Sequence, residues 1–461
     1  FNVSIATGAK QPESEMTNTY YHNGKRKKKK VRYRKKRVAM LVAGFIGICS
    51  AITLSMTDCS SCSHQEPEKE EIPQTHLNDT LTNCMSDAPA LEGMEKELKR
   101  YFERWELNGA QIAVSRGDSL LYAKGFGWAD KEAGQEMQPS NIMRLASVSK
   151  LLTAVGIMKL VDDKKIKLSE HVFGAKGILN DTAFTNVIKD PRYFDITVEQ
   201  LLRHKAGFTT GAGDPMFSTR YIMMQNRLTE APDNKTLMKI LLKRRLGFTP
   251  GTAKRYSNVG YTLLSMIIEK KTRMSYEQFM TDSIFRPAGC FDFHIAGNYP
   301  KDRRSNEVKY YMHKGSEPVL EYNNSGRMVE KCYGENDIPR LQGAGAWCGS
   351  AAELSRFVAA IDLVPGAKDI LSKGAIEFMT REMPDYDFSI GWNFTPANGP
   401  WIRTGSLSGT SAIILRYPDT ECWILITNTS TWKGHGFSKD TMRLFEKLRK
   451  EYSSKFPKRN L

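Results

Sequence analysis

A serine and a lysine stand three residues apart in the segment Ser147-Val148-Ser149-Lys150. The mostly apolar run from Ser147 to Val161 predicts a helix buried on most sides, and residues three apart on a helix share one face. A serine hydroxyl is a weak nucleophile unless a neighbour takes its proton, and a buried lysine has its ammonium form disfavoured. This spacing predicts a nucleophile and its base, although a serine at a helix start is more often only a cap.

A second pair of polar residues, Tyr256 and Asn258, lies in a segment that we interpret as a loop. A phenol near a cationic lysine has its phenolate form favoured and can act as a general base. An asparagine amide can both donate to and accept from a substrate amide. The alternative interpretation is a packed tyrosine with a hydrogen-bonded hydroxyl and an asparagine in a turn.

A third element, Arg403-Thr404-Gly405-Ser406, lies directly before the last strand-like runs of the chain. Gly405 permits close approach of a substrate backbone. An edge strand here could pair with an extended acyl substrate, and its main-chain N–H groups could face an oxyanion. Taken alone, the element is equally a glycine-containing end of a strand.

The order of these three elements resembles that of a known family. S-x-x-K is followed by Y-x-N about 110 residues later and by a basic-Thr-Gly strand about 145 residues further on. The chain is similar to the serine β-lactamase and penicillin-binding protein superfamily, in particular the class C β-lactamase-like branch with its carboxypeptidases, D-aminopeptidases and esterases. The segments from Met143 to Ala146, Ile196 to Phe208 and Gly343 to Leu354 match as well. The resemblance spans about residues 91 to 450.

The resemblance implies an α+β fold in which an antiparallel sheet flanked by helices adjoins a mostly helical domain, with the active site in the groove between them. It implies catalysis by Ser147, Lys150 and Tyr256 and substrate binding by Asn258, Arg403, Thr404, Gly405 and Ser406. The N–H groups of Ser147 and Ser406 would form an oxyanion hole, and water would hydrolyse an acyl-enzyme on the serine. A β-lactam, a D-Ala-type peptide or an ester is the expected substrate, with no metal or organic cofactor.

Arg403 is the main departure from the family, whose members usually have Lys or His at this position. Arginine is a permanent cation that could clamp a substrate carboxylate but cannot relay protons. Two other functions therefore stay open beside hydrolysis: a penicillin-binding sensor that deacylates slowly, and an inactive scaffold of the same fold that binds peptidoglycan fragments. His204 is interpreted as a structural histidine, because the motifs give it no catalytic role.

The elements that must position these residues fit α+β architecture. A hairpin is predicted from Gln111 to Gly127 and another from Ser411 to Thr427. Besides the helix from Ser147 to Val161, helices are predicted at four further places: Leu91 to Trp105, Thr197 to Arg203, Tyr261 to Lys270 and Ser438 to Tyr452. The long polar segments Thr209 to Thr236 and Ala296 to Tyr333 are expected to line the cleft and set specificity.

The net charge of +16 over 461 residues is concentrated near the N-terminus. Lys25 to Arg37 contains 11 basic residues and no acid, and removing these charges leaves +5. A chain without a broad basic face is not expected to bind nucleic acid. Eight cysteines include only the lone pair Cys59 and Cys62 at CxxC spacing, so we predict no metal site, and disulfide pairing cannot be read from them.

The basic run precedes an apolar stretch, Val38 to Met56, whose 19 residues are just long enough to cross a bilayer as a helix. Basic residues before it predict a cytoplasmic N-terminus and a periplasmic, membrane-anchored catalytic domain. We predict a basic region at 1–37, an anchor or signal segment at 38–56, a linker at 57–90 and a hydrolase domain at 91–461 with a helical insertion at about 155–340. A lipoprotein processed at Cys59 is an alternative to the anchor.

Overall fold

The computed structural model of the protein describes residues 76–209, 213–364, 368–384, 388–432 and 434–461. All of them belong to the unit Pro73–Leu461. The basic region 1–37, the apolar segment 38–56 and the linker as far as residue 75 lie outside the described residues, so their assignments stay predictions. Within the described ranges, no helix combines the length and the apolar character needed to span a bilayer.

The sheet at the centre of the fold is assembled from the two ends of the described chain. The strands are β1 (Gly109–Arg116), β2 (Ser119–Asp130), β3 (Gln135–Glu136), β4 (Met143–Arg144), β5 (His294–Ile295), β6 (Val319–Leu320), β7 (Met328–Val329), β8 (Trp347–Gly349), β9 (Trp401–Leu407), β10 (Thr410–Arg416) and β11 (Glu421–Thr427). Six of them form one antiparallel sheet in the order β3-β2-β1-β11-β10-β9. Both predicted hairpins are confirmed, as β1–β2 and β10–β11.

Strand β11 is buried on both faces of the sheet, and its side chains divide between two hydrophobic cores. Ile424 and Ile426 belong to the core shared with the helical part of the molecule. Trp423 and Leu425, which alternate with them, belong to a second core on the opposite face. This alternation follows from the two-residue repeat of a strand, and each buried aliphatic side chain contributes about 1.5–3 kcal/mol.

Helices cover both faces of the sheet. They are α1 (Leu77–Thr80), α2 (Glu92–Arg104), α3 (Ser149–Asp162), α4 (Thr182–Thr185), α5 (Val198–Leu202), α6 (Thr219–Asn226), α7 (Asn234–Leu241), α8 (Asn258–Thr272), α9 (Tyr276–Met280), α10 (Ile338–Leu341), α11 (Ala351–Ala359), α12 (Lys373–Thr380) and α13 (His435–Tyr452). Helices α2 and α13 contribute to the second core, while α11 packs on β1 and β11 from the other side. The α+β prediction is thus confirmed for the described residues.

Helix α3 lies at the centre of the helical part and is buried on nearly all sides, as its apolar sequence predicts. It packs against α8, and Thr153 of α3 is hydrogen-bonded to the hydroxyl of Tyr276 in α9 at 2.7 Å. The approach is close at Gly156, where an added Cβ would lie 2.6 Å from Met280 Sδ. Helix α5 begins with a capping box, since Thr197 and Gln200 exchange side-chain and backbone hydrogen bonds.

Candidate active site

Ser147 lies in the middle of a 3-10 turn over Ala146–Val148, and α3 begins only at Ser149. The prediction of an α-helix starting at Ser147 is therefore wrong at its first turn. Ala146 has φ +48°, a left-handed conformation that few non-glycine residues adopt. The N–H of Leu145 donates to the carbonyl of Trp347 in β8 at 2.8 Å, so the chain enters the turn from an extended pairing.

Lys150 and Tyr256 both reach the hydroxyl of Ser147. The Tyr256 hydroxyl donates to Ser147 Oγ at 2.8 Å, and Lys150 Nζ lies 3.2 Å from the same oxygen. The two other N–H groups of the ammonium donate to Asn258 Oδ1 at 2.6 Å and to the carbonyl of Ala344. All three donors of the lysine are thereby used, which fixes the ammonium beside the serine hydroxyl.

Burial and neighbouring charges change the proton affinities of this pair. Burial is the largest effect on Lys150 and lowers its pKa, assisted by the positive charge of Arg403 and opposed by Tyr256. Burial alone would raise the pKa of Tyr256, but the charges of Lys150 and Arg403 outweigh it, and the pKa lies below its usual value. The neutral amine of Lys150 and the phenolate of Tyr256 are therefore both favoured relative to the free side chains, and each of these forms can accept a proton from a neighbouring hydroxyl.

Asn258 is the first residue of α8, with Ser257 as the N-cap, so the helix begins three residues before the predicted start at Tyr261. Its amide has protein partners on both sides. Oδ1 accepts from Lys150, and Nδ2 donates to Asp214 Oδ2 at 2.8 Å. The residue expected to bind a substrate amide therefore also holds the lysine in place.

Strand β9 forms the edge of the large sheet and passes directly beside the nucleophile. A Cβ on Gly405 would lie 2.4 Å from the carbonyl oxygen of Leu145 and 2.8 Å from the nitrogen of Ser147. Backbone cannot move away as a flexible side chain can, so only glycine fits this contact. Gly405 was predicted to allow close approach of a substrate backbone. In this structure the segment that approaches it is the turn Ala146–Val148, called here the nucleophile turn.

Arg403 is 1% exposed and directs its guanidinium to the same turn. Its Nε donates to the main-chain carbonyl of Ser147 at 2.9 Å, and Nη2 donates to the same oxygen. A charged fork on a neutral carbonyl is a strong hydrogen-bonding arrangement. The described contacts of Arg403 thus hold the nucleophile turn, a role not anticipated for this residue.

The outer edge of β9 presents the remaining predicted residues. The N–H of Ile402 donates to Phe394, and the N–H of Thr404 donates to Asn393 Oδ1 at 2.8 Å. Backbone groups of alternate residues in a strand point to the same edge, so the N–H of Ser406 faces outward as well. Ser406 directly follows Gly405, the residue that lies against the turn Ala146–Val148.

His204 lies behind Tyr256, with ring centroids 4.5 Å apart, and its Nδ1 accepts from the N–H of Ser257 at 3.1 Å. Burial, and then the charges of Lys150 and Arg403, hold the pKa of His204 well below its usual range. A neutral imidazole that accepts at Nδ1 carries its proton on Nε2. This arrangement supports the loop of Tyr256 and agrees with a structural histidine.

Three contacts of the site involve residues that sequence reasoning did not assign: Asp214, Ala344 and Asn393. Asp214 lies within the polar segment expected to line the cleft, and Ala344 lies in a segment that matches the family. Asn393 had no distinguishing pattern. Among the described residues, no group of three or more His, Cys, Asp or Glu side chains is arranged to hold a metal ion.

Residues 96–446 match the family model described as Beta-lactamase. The chain belongs to that family. Penicillin-binding protein 4* of Bacillus subtilis (strain 168) is 26% identical over 340 residues, which cover 71% of this chain and 70% of the relative. Protein flp of Staphylococcus aureus (strain N315) is 24% identical over 231 residues, and this match spans 49% of the chain but only 42% of the relative.

Solved structures of similar proteins share the fold of this Beta-lactamase family member. The D-amino acid amidase from Ochrobactrum anthropi SV3, complexed with L-phenylalanine amide, superposes with a TM-score of 0.60 at 19% identity and covers 79% of this chain and 98% of its own. FmtA from Staphylococcus aureus gives 0.58 at 16% identity, with coverages of 81% and 92%. At these identities the likeness shows the fold alone.

Proposed function

We propose that this protein is a serine hydrolase that forms an acyl-enzyme on Ser147 and acts on a β-lactam, a D-Ala-type peptide or an ester. The observation that carries the proposal is the convergence of Tyr256 Oη and Lys150 Nζ on Ser147 Oγ, at 2.8 and 3.2 Å. A hydroxyl that contacts two groups able to accept its proton once they are deprotonated has the arrangement of an activated nucleophile.

In the first step, Ser147 Oγ attacks the carbonyl carbon of the substrate and loses its proton to Tyr256, which shares it with Lys150. With the phenol ionised, the 2.8 Å contact reverses, so that the serine donates and the phenolate accepts. The C–O bond to the serine forms, the C–N or C–O bond to the leaving group breaks, and the leaving group receives the proton. Asn258 and Ala344 keep the lysine in place throughout.

The negative charge that develops on the carbonyl oxygen is assigned to the N–H groups of Ser147 and Ser406. Gly405 brings β9 against the turn that carries Ser147, so the segments that carry the two donors lie next to each other. Donors fixed before the reaction stabilise an oxyanion by several kcal/mol in acyl-transfer enzymes. Water then attacks the ester, releases the acid and restores the hydroxyl of Ser147.

The names of proteins with this fold guide the choice of substrates. They include a penicillin-binding protein and a D-amino acid amidase. A penicillin and a D-amino acid amide are therefore the first two compounds to test here. The partner that we propose is a small molecule or peptide, bound along the outer edge of β9.

The test is intact-mass spectrometry of the full chain in mild detergent, incubated with a fluorophosphonate and separately with a penicillin. The matched control is Ser147→Ala. An adduct on the wild type and none on the variant supports Ser147 as the nucleophile, and decay of the penicillin adduct separates a hydrolase from a slowly deacylating sensor. A folded wild type that forms no adduct with either probe would leave the inactive scaffold.

We further propose that the catalytic domain lies outside the cytoplasm, anchored by the apolar segment 38–56. The support is the sequence alone: 19 residues of the required length preceded by a basic run. Protease treatment of intact cells and of cells with a permeabilised envelope tests the location. Digestion of the domain only after the inner membrane is opened would contradict it.

A further inference from the structure

Asp214 lies on the far side of Asn258 from the catalytic lysine and has no assigned role. Its Oδ2 accepts from Asn258 Nδ2 at 2.8 Å, while its Oδ1 accepts from the N–H of Met216 at 2.9 Å. One carboxylate oxygen therefore caps the short turn Pro215–Phe217, and the other faces the active-site asparagine. The carboxylate joins the cleft loop to the network around the nucleophile.

The amide of Asn258 has two ends of opposite character, one accepting and one donating. Lys150 donates to Oδ1 at 2.6 Å, which requires the oxygen to point toward the lysine. If the amide rotated by half a turn, Nδ2 would face the ammonium, donor against donor. The ammonium favours the orientation with Oδ1 toward it, and the carboxylate of Asp214, which can accept only from Nδ2, favours the same orientation from the other end of the amide.

We propose that Asp214 is a positioning residue: it fixes the orientation of the Asn258 amide and, through it, the place of the Lys150 ammonium beside Ser147. The proposal rests on the proposed function for its effect on rate, but the geometry of the three side chains carries it independently. Asp214 does not touch Ser147 in the structure, so it acts through Asn258 rather than on the reacting atoms.

Several charged or titratable groups face Lys150 from the elements around it. They are Tyr256 before α8, Tyr261 on α8, Arg403 on β9, His204 after α5, and Asp214. Within this set Asp214 acts in the opposite direction to Arg403: its negative charge raises the pKa of Lys150. Removing that charge should therefore lower the pH at which the lysine loses its proton.

Asp214→Asn is a sharp test because the new amide has one acceptor where the carboxylate has two. If its oxygen keeps the cap on Met216, its NH₂ group faces the NH₂ group of Asn258 and turns that amide around. Asp233→Asn is the matched control, since Asp233 caps α7 through the N–H of Thr236 at 2.7 Å and does not contact Asn258. Asp214→Ala removes the cap and the charge together.

The first measurement is the rate of Ser147 labelling by a fluorophosphonate in the full chain from pH 5 to pH 10. For Asp214→Asn we expect the maximal labelling rate to be at least tenfold below that of the wild type. We also expect the acid limb, the part of the pH–rate profile where the rate falls toward low pH, to be displaced to lower pH. Asp233→Asn should be unchanged in both respects. A variant that labels at the wild-type rate, or one that is slower with its acid limb in place, would overturn the proposal.

The second measurement does not depend on catalysis. NMR of the chain labelled with ¹⁵N-lysine follows the titration of Lys150, whose signal is assigned by its absence in Lys150→Met. We expect Asp214→Asn to lower the midpoint relative to wild type and to Asp233→Asn, and equal midpoints would overturn the proposal. If the wild type is not labelled at Ser147, the proposed function has failed while this titration still decides the role of Asp214.

Discussion

The side chain of Arg403 holds the main chain of the nucleophile turn, since Arg403 Nε lies 2.9 Å from the carbonyl oxygen of Ser147. The guanidinium is buried at the inner side of β9, while Thr404 and Ser406 direct their N–H groups to the outer edge. One short stretch of strand thus supports the nucleophile from one side and is expected to receive the substrate on the other. The arginine also adds positive charge beside Lys150 and Tyr256.

Arg403→Ala should slow the labelling of Ser147 by about tenfold to a hundredfold, the range of a lost charged hydrogen bond of about 1.5–3 kcal/mol. Its charge lowers the pKa of Tyr256 and of Lys150, so its removal should move the acid limb of the rate to higher pH. Arg403→Lys keeps the charge without the fork and should lose less. Arg443→Ala, at an exposed arginine on α13, is the control. An unchanged acid limb in Arg403→Ala would contradict the electrostatic part.

The sequence was sufficient to predict that Ser147, Lys150 and Tyr256 meet, but not which residues hold them in place. Ser147 and Lys150 meet because residues three apart share a face, and that relation survives even though the first turn is 3-10. The target of Arg403 depends on which side of β9 faces the turn, and this requires the tertiary packing. Asp214 and Asn393 act on one residue each, 44 and 11 positions further along the chain, and such isolated pairs leave no repeating pattern to recognise.

The sheet was predictable for a different reason. Each hairpin has two apolar runs around a short turn, and both strands of the pair are close in sequence. The pairing of β1 with β11 joins segments about 310 residues apart, and no local pattern in the sequence indicates it. The start of α8 was misplaced because Ser257 gives a cap whose neighbours also suit a loop.

Gly405→Ala should destabilise the fold by about 1–3 kcal/mol and abolish labelling of Ser147. The added Cβ would meet two backbone atoms, the oxygen of Leu145 and the nitrogen of Ser147, at 2.4 and 2.8 Å. Relief of this contact requires β9 and the turn to separate. Urea unfolding and fluorophosphonate labelling measure the two effects.

Gly374→Ala is the matched control, because a Cβ there meets no atom within 4 Å and the residue lies on the exposed side of α12. Alanine favours helix more than glycine, so this variant should be neutral or slightly stabilised. Equal stability of the two variants would show that β9 can move away from the nucleophile without cost.

His204→Asn should reduce the loss of stability at acid pH. His204 is buried with its pKa held far below that of an unfolded histidine, near 6.5. Below about pH 6.5 the unfolded chain therefore binds a proton at this histidine that the folded chain does not bind. The free energy of unfolding of the wild type falls as pH drops through this range. Asparagine tolerates the φ of +57° at this position and offers an oxygen to the N–H of Ser257.

The measurement is the free energy of unfolding in urea at pH 7.5, 6.0 and 5.0, with His313→Asn as the control. The difference between wild type and His204→Asn isolates this group from buried acids such as Glu353, whose raised pKa of about 7 gives the opposite slope. Parallel curves for wild type and His204→Asn would show that the buried imidazole does not contribute to the acid sensitivity.

Lys150→Met should reduce labelling of Ser147 by at least a hundredfold, the usual contribution of a positioned acid-base group, while its stability relative to wild type rises as pH falls. Burial lowers the pKa of Lys150 in the folded chain. Between that lowered pKa and the unfolded value near 10.4 the unfolded chain binds more protons, so the wild type loses stability as pH decreases through this window. Methionine fills a similar volume without a charge, and urea unfolding from pH 6 to pH 10 measures the difference. The control is Lys159→Met, at a partly exposed lysine of the same helix that is paired with Asp163, and it should show neither effect. If the difference in unfolding free energy between wild type and Lys150→Met were the same at every pH, the buried ammonium would not destabilise the folded chain.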